Sequence, residues 1–321
     1  MMEHMKLTFV NVGYGEAMLL ECPADGGFTM LIDGGGAEPG EYAGSRTGRI
    51  PLAEYLELMG IRRLDLLLST HIHEDHVCGL LAATDVAPPD RMWHVLPGDF
   101  WREMEELPPD LAQNASMDKF VRALSSYKAL CRKLTERGCE CLSVSAGLEA
   151  ELCPGLTARV LGPSGDRAAE LTGRLRDVYR QTDSGEKRRL LAAVDAGMNN
   201  YSVILSLDYR GTKVLLPGDT NGVGYGGLEA ELRADLFKLG HHGQKDSVTP
   251  ELLTAIAPRH AVCCASSDRR YHSAHPDVLA LLRRNGARCW FSDCPEGEGV
   301  PPHRALTFHI GPGGEIDADY Q

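Results

Sequence analysis

Between residues 64 and 76 the chain runs from Leu64-Asp65-Leu66-Leu67-Leu68-Ser69 straight into Thr70-His71-Ile72-His73-Glu74-Asp75-His76. The first stretch is short and nearly all apolar, which predicts a strand buried on both faces. Alternate residues of an extended chain point the same way, so His71 and His73 leave the strand end together. Asp75 and His76 follow in the loop that opens the next helix. Four nitrogen or oxygen donors within six residues can be divided between two adjacent cations. Imidazole with carboxylate suits Zn²⁺, and also Mn²⁺ or Fe, whereas Mg²⁺ and Ca²⁺ take oxygen ligands. The alternative is a surface loop that happens to be histidine-rich, and the exit of a buried strand is a poor place for one.

The surrounding pattern predicts strands followed by helices in both halves. Leu7–Val10, Ala17–Cys22 and Phe28–Ile32 read as strands, the last stopped by Asp33-Gly34-Gly35-Gly36, and Leu52–Met59 reads as a helix. Val77–Ala83 has helical composition. In the middle, Phe120, Leu124, Tyr127, Cys131 and Leu134 recur at helical spacing, and a second helix covers about 167–179. Leu142–Val144 and Leu156–Leu161 read as short strands, and the charged stretch Asp183–Arg189 as a solvated face or loop. Ser202–Tyr209 and Lys213–Leu216 flank the Arg210-Gly211 turn of a hairpin. Thr249-Pro250 marks a helix start. Ala261–Cys264, a helix near Pro276–Asn285 and Cys289–Phe291 complete the run. This order implies packed β-sheets flanked by helices.

Lysine and arginine number 33 against 45 aspartates and glutamates, a formal charge of −12. Such a balance disfavours stable binding of duplex nucleic acid, which needs a basic face. No apolar run approaches the roughly 18 residues of a membrane span, and Met1-Met2-Glu3-His4-Met5-Lys6 has no secretory pattern. We therefore expect a cytoplasmic protein with no membrane partner. The ten cysteines form no CxxC pair, which removes a zinc ribbon and leaves mostly buried, reduced thiols.

Several motifs in order resemble the metallo-β-lactamase fold, over most of the chain. The histidine cluster resembles the HxHxDH signature. Asn11-Val12-Gly13-Tyr14-Gly15-Glu16-Ala17 resembles the NVGQGDA opening of the branch that includes the hydrolase domain of the ComEC competence protein. Leu31-Ile32-Asp33-Gly34-Gly35 is similar to LIDGG, Leu216-Pro217-Gly218-Asp219 to the TGD motif, and 234–243 to ADVLKVGHHG. His275-Pro276-Asp277-Val278-Leu279 resembles the tail of that branch. The resemblance implies an α/β (α+β) protein: one domain over 1–321, an αββα sandwich of two mixed β-sheets flanked by helices, with a helical insertion at about 95–195. It implies that His71 and His73 ligate one metal, that Asp75 and His76 ligate a second, and that Asp219 bridges them. One of His241 and His242 completes the second site, and the other touches substrate or supports a ligand. Asp33 resembles the buried carboxylate that orients a ligand histidine, although a turn-forming aspartate before glycines reads the same way.

Departures from the pattern carry expectations of their own. His94 is the one histidine between His76 and Asp219, and we read it as structural. Asn199-Asn200-Tyr201-Ser202 matches the NxxS segment of the competence branch, so the first metal is expected to be open or weakly held. Ile72, Cys78 and Gln244 replace proline, glycine and serine, which allows substrate preference to drift. Glu16 stands where aspartate is usual, with no ligand role expected.

The activity implied is metal-dependent hydrolysis by a metal-bound hydroxide on one or two Zn²⁺ ions, or Mn²⁺ or Fe. Asp75 would orient the nucleophile and take its proton, and His275 or nearby His272 would donate to the leaving group. Either could equally be a histidine at a helix start. The expected substrate is a small or single-stranded phosphodiester. The alternatives are a lactonase, thioesterase or β-lactamase-type hydrolase on the same metals, or a metal-binding module without catalysis.

Overall fold

The computed structural model describes residues 4–23, 27–108, 111–112 and 114–321, so residues 1–3 of the start read above lie outside it. One sheet begins with an antiparallel meander, β1 (Met5–Val10), β2 (Met18–Cys22) and β3 (Phe28–Ile32). β4 (Leu64–Leu68), β5 (Pro89–His94) and β6 (Glu140–Ser143) extend it in parallel. The second sheet starts with antiparallel β7 (Glu149–Cys153), β8 (Leu156–Gly162), β9 (Ile204–Tyr209) and β10 (Thr212–Leu216). It continues in parallel through β11 (Leu236–Lys238), β12 (His260–Cys263) and β13 (Arg288–Phe291). The C-terminal strands β14 (Ala305–Ile310) and β15 (Ile316–Tyr320) return to the first sheet beside β1.

Nine helices flank the sheets among the described residues: α1 (Pro39–Tyr42), α2 (Leu52–Leu58), α3 (Glu74–Val77), α4 (Leu80–Val86), α5 (Ala115–Glu136), α6 (Gly165–Arg180), α7 (Ser184–Gly197), α8 (Pro250–Ile256) and α9 (Pro276–Arg284). The expected αββα sandwich of two mixed sheets is the fold observed. β4 lies inside its sheet between β3 and β5, and Leu64, Leu66, Leu67 and Leu68 are fully buried, as the uninterrupted apolar run requires.

In the middle region, β6 and β8 lie where short strands are expected at Leu142–Val144 and Leu156–Leu161; with β7 they join the sheets, between the helix α5 and the helices α6 and α7. The charged stretch from Asp183 is the solvated face of a helix. Asp183 Oδ1 accepts the Glu186 N–H at 2.8 Å and caps α7, while Leu191 and Val194 are its buried anchors. No described helix is long and apolar enough to cross a membrane.

Candidate metal centre

Four strand ends meet at one edge of the sandwich. β3 delivers Asp33 and β4 the histidine cluster; from the second sheet, β10 delivers Asp219 and β11 delivers His241 and His242. Asp33 sits with φ at 55°, fully buried, so that its carboxylate turns back on the cluster. Its Oδ1 accepts the Thr70 N–H at 2.8 Å and its Oδ2 the Thr70 hydroxyl at 2.6 Å. The same Oδ2 accepts from His76 Nδ1 at 2.8 Å. Asp33 therefore orients a histidine as well as shaping the turn.

These bonds decide which ring nitrogens are left bare. His76 spends its Nδ1 proton on Asp33, so Nε2 is the nitrogen turned to the site. That atom is buried, with no hydrogen-bond partner among the described residues, and lies 3.4 Å from Asp219 Oδ2. His242 donates Nδ1–H to the Cys264 carbonyl at 2.8 Å, which turns Nε2 toward Asp219 Oδ2 (2.9 Å) and Asp75 Oδ2 (3.1 Å). The Thr70 hydroxyl proton is committed to Asp33, so its oxygen accepts from His71 Nδ1 at 3.1 Å. His71 Nε2 is then free and faces His73 Nδ1 at 3.1 Å.

The donors fall into two sets. Glu16, His76, Asp219 and His242 place ligand atoms within 4.8 Å of one another, and Asp75 borders that group. His71 and His73 form a separate adjacent pair. His73 Nε2 lies 3.3 Å from Asp195 of α7, and Asn199, whose Oδ1 is buried and unpartnered among the described residues, lines the same cavity as His73 and Asp195. His241 lines the cavity but lies outside that donor group, with Nδ1 2.9 Å from Asp246 and Nε2 3.1 Å from the Gln244 amide. His94 closes β5 against the Tyr127 hydroxyl and does not line the cavity. His275 accepts the Asp277 N–H at 3.2 Å and caps α9; neither it nor the exposed His272 lines the cavity.

Glu16 was not expected among the ligand atoms. It is fully buried and paired with fully buried Lys238. Lys238 also donates to the Gly218 carbonyl at 2.7 Å and lies 3.3 Å from Asp219 Oδ1. Asp219 is thereby divided: Oδ1 faces the ammonium and Oδ2 the two histidines. Glu16 and Lys238 are 222 residues apart in sequence, so no local pattern marks the contact.

The electrostatics favour a cation. Burial, with His76 and His73 beside it, pushes His71 well below the ordinary histidine pKa and keeps it neutral. Burial would raise both Asp75 and Asp219, but His76 and His242 outweigh it and hold both carboxyls below their usual range. Burial opposes charge on His76, yet Asp219, Asp75 and Asp33 together raise its pKa. Against burial, Asp219 and Asp75 also raise the His242 pKa, and imidazoles amid ionised carboxylates that favour positive charge fit a borderline divalent metal such as zinc. Above the site opens a cavity of about 340 Å³, whose walls include Ser116, Lys119 and Phe120 of α5 and Asp195 of α7. The helices of the middle region thus shape the site while their apolar faces, Phe120, Leu124 and Tyr127 among them, pack into the core.

Residues 10–267 match the family model described as the metallo-beta-lactamase superfamily. The chain belongs to that superfamily. A relative within reach of sequence comparison is ComE operon protein 3 of Bacillus subtilis (strain 168), 26% identical over 298 residues that cover 90% of this chain and 32% of that protein. The chain therefore spans about a third of that relative's length. A mutant of the CmlA beta-hydroxylase has a similar fold, at 14% identity and a TM-score of 0.50, over 95% of this chain and 54% of that one. CmlA of Streptomyces venezuelae, described as a diiron beta-hydroxylase, matches at 14% identity and a TM-score of 0.49, over 96% of this chain and 54% of that one. Within the superfamily fold, Asp33, the histidine cluster, Asp219 and His242 occupy strand ends that only the two-sheet sandwich brings together.

Proposed function

We propose that this superfamily member is a metal-dependent phosphodiesterase acting on small or single-stranded phosphodiesters, in the cytoplasm. The observation that carries the reading is the buried, unpartnered Nε2 of His76 facing Asp219 and Asp75 beneath an open cavity. His76, Asp75, Asp219 and His242 would hold one ion, and His71 and His73 a second, with Zn²⁺ first in order and Mn²⁺ or Fe as alternatives. A bound cation supplies Lewis acidity, bringing the pKa of solvent toward about 7 and stabilising charge on a phosphoryl oxygen.

The chain's own residues do the rest. Asp75, ionised and partly open to the cavity, is placed to orient the attacking solvent and accept its proton. Asp33 fixes the tautomer of His76, and the Cys264 carbonyl fixes that of His242. Lys238 fixes the rotation of the Asp219 carboxylate. Tyr14 packs on the His242 ring, with centroids 4.5 Å apart, and shields that side from water. The competence-branch motifs favour a phosphodiester over an acyl substrate. The net charge, with Lys119 the one lysine on the described cavity wall, favours a short or flexible ester over a duplex. All ten cysteines are free thiols, which suits a reducing compartment.

Elemental analysis of protein purified without added metal reports occupancy and identity together. Turnover of bis-p-nitrophenyl phosphate without lactone, thioester or β-lactam turnover supports the reading, and the opposite pattern overturns it. Asp75→Asn should reduce kcat by at least about 10²-fold while the protein keeps most of its metal. Equal activity in that variant would remove Asp75 from the mechanism.

A further inference from the structure

Tyr271 is half-exposed at 55% yet rigidly placed. It lines the cavity over the metal centre and meets Tyr14 edge-on, with ring centroids 5.2 Å apart and planes at 65°. Tyr14 in turn rests on the His242 ring. The phenol of Tyr271 is thus two ring contacts from a candidate metal ligand, with more than half of the residue open to solvent.

The backbone that presents it is unusual. Arg269, Tyr271, His272 and Ala274 all have positive φ, between 50° and 58°, a region that residues other than glycine rarely occupy. Such strain persists only where the surroundings over-determine it, and it concentrates at binding and catalytic sites. Here the surroundings are visible. Arg269 bonds the Ala274 carbonyl at 2.7 Å, the Glu296 carbonyl at 2.9 Å and Glu298 at 3.0 Å. Arg270 bonds Glu41 at 2.9 Å and lies over the Tyr14 ring at 5.5 Å. The Ser273 hydroxyl closes the turn on the Arg270 carbonyl. These anchors hold the turn on both sides of an aromatic ring that is itself left uncovered.

Resting on the phosphodiesterase reading, we infer that Tyr271 is the stacking platform for a nucleobase of the substrate, so that the site prefers nucleotide esters to simple alkyl or aryl esters. A flat exposed π-face matches any base without reading its edge. An acyl chain would need an enclosed apolar tunnel, whereas this cavity is open and its wall carries His73, Glu74, Asp75, Lys119, Asp195 and Asn199 beside its aromatic residues. With the phosphate at the metals, the base lies one sugar away, toward the rim that Tyr14 and Tyr271 form.

The test uses the protein as purified, with its own metal. Affinities for thymidine 5′-monophosphate and for inorganic phosphate are measured by calorimetry in wild type, Tyr271→Ala and Tyr271→Trp. Base–aromatic stacking predicts that Tyr271→Ala lowers the preference for the nucleotide over phosphate by about tenfold. Tyr271→Trp should keep it, with indole fluorescence quenched by the nucleotide and not by phosphate. In turnover, kcat/KM for thymidine 5′-p-nitrophenyl phosphate relative to methyl p-nitrophenyl phosphate should fall by a similar factor in Tyr271→Ala, through KM. An unchanged preference in Tyr271→Ala, or no nucleotide quench in Tyr271→Trp, overturns the inference. If wild type cleaves neither ester, the phosphodiesterase reading fails, while the affinity series still decides the role of Tyr271.

Discussion

His94 offers a quantitative test, because it is the histidine in this chain that competes for a further ligand role between His76 and Asp219. It is 1% exposed at the end of β5, bonded through Nδ1 to the Tyr127 hydroxyl, with Nε2 unpartnered among the described residues. Burial pushes its pKa down from 6.5 to about 4. An unfolded chain takes up that proton as pH falls through about 6.5, whereas the folded chain takes it up only near 4. Between those values the unfolded state carries more protons, so stability is full above 6.5 and is lost as pH falls toward 4. The interval is worth about 3 kcal/mol, of which about 2 kcal/mol should be lost between pH 7 and pH 5. His94→Gln removes the titration and leaves an amide that can still meet Tyr127. Urea unfolding of wild type and variant at both pH values isolates the effect, since the other titrating groups cancel in the difference. Wild type should lose about 2 kcal/mol more than His94→Gln on acidification. Equal losses would refute the burial argument, and release of a metal equivalent from His94→Gln would return the residue to the ligand set.

Two further variants probe the centre from beneath. Asp33→Ala should weaken metal retention by roughly 10–100-fold, because His76 loses the bond that fixes its tautomer; competition with a chelator measures this, and unaltered retention would contradict it. Lys238→Met leaves Glu16 and Asp219 buried without their shared ammonium and should cost about 3–5 kcal/mol in urea unfolding. Adding Glu16→Gln should recover part of that loss, and a strictly additive double variant would mean that the pair does not interact.

Much of this architecture was legible because its signals are local. The β4 run announces burial by composition, the 202–216 hairpin by alternation around Arg210-Gly211, and the α8 start by Thr249, which accepts the Leu252 N–H as a cap. The histidine cluster is dense enough to read as a ligand set without a partner strand. What escaped depends on distance or on small geometric choices. β14 gains its strand character from pairing with β1 nearly 300 residues away, which no window of sequence contains, and β15 gains its own only by pairing with β14. α7 hides its helix behind a charge run, with two buried anchors late in the segment. His241 and His242 are adjacent and both have positive φ. The Cys264 carbonyl, at the end of a strand 22 residues on, captures one of them and leaves the other to Asp246. Glu16 reads as a conservative replacement until Lys238 is seen beneath it.

The charge pattern at the centre ties metal supply to the fold. Asp33, Glu16 and Asp219 are buried and Asp75 nearly so, yet the one buried lysine among them is Lys238. Four carboxylates against one ammonium is an arrangement that a protein interior does not tolerate without added positive charge. Histidine protonation can supply some, at the expense of the lone pairs that face the cavity. A divalent ion supplies it while using those lone pairs. Asp33, which orients His76, and Asp219, whose Oδ2 faces it, come from different sheets, so the site exists only when both sheets are assembled. A bound metal would then select the closed sandwich over less complete states, and its binding energy would contribute to holding the two sheets in register.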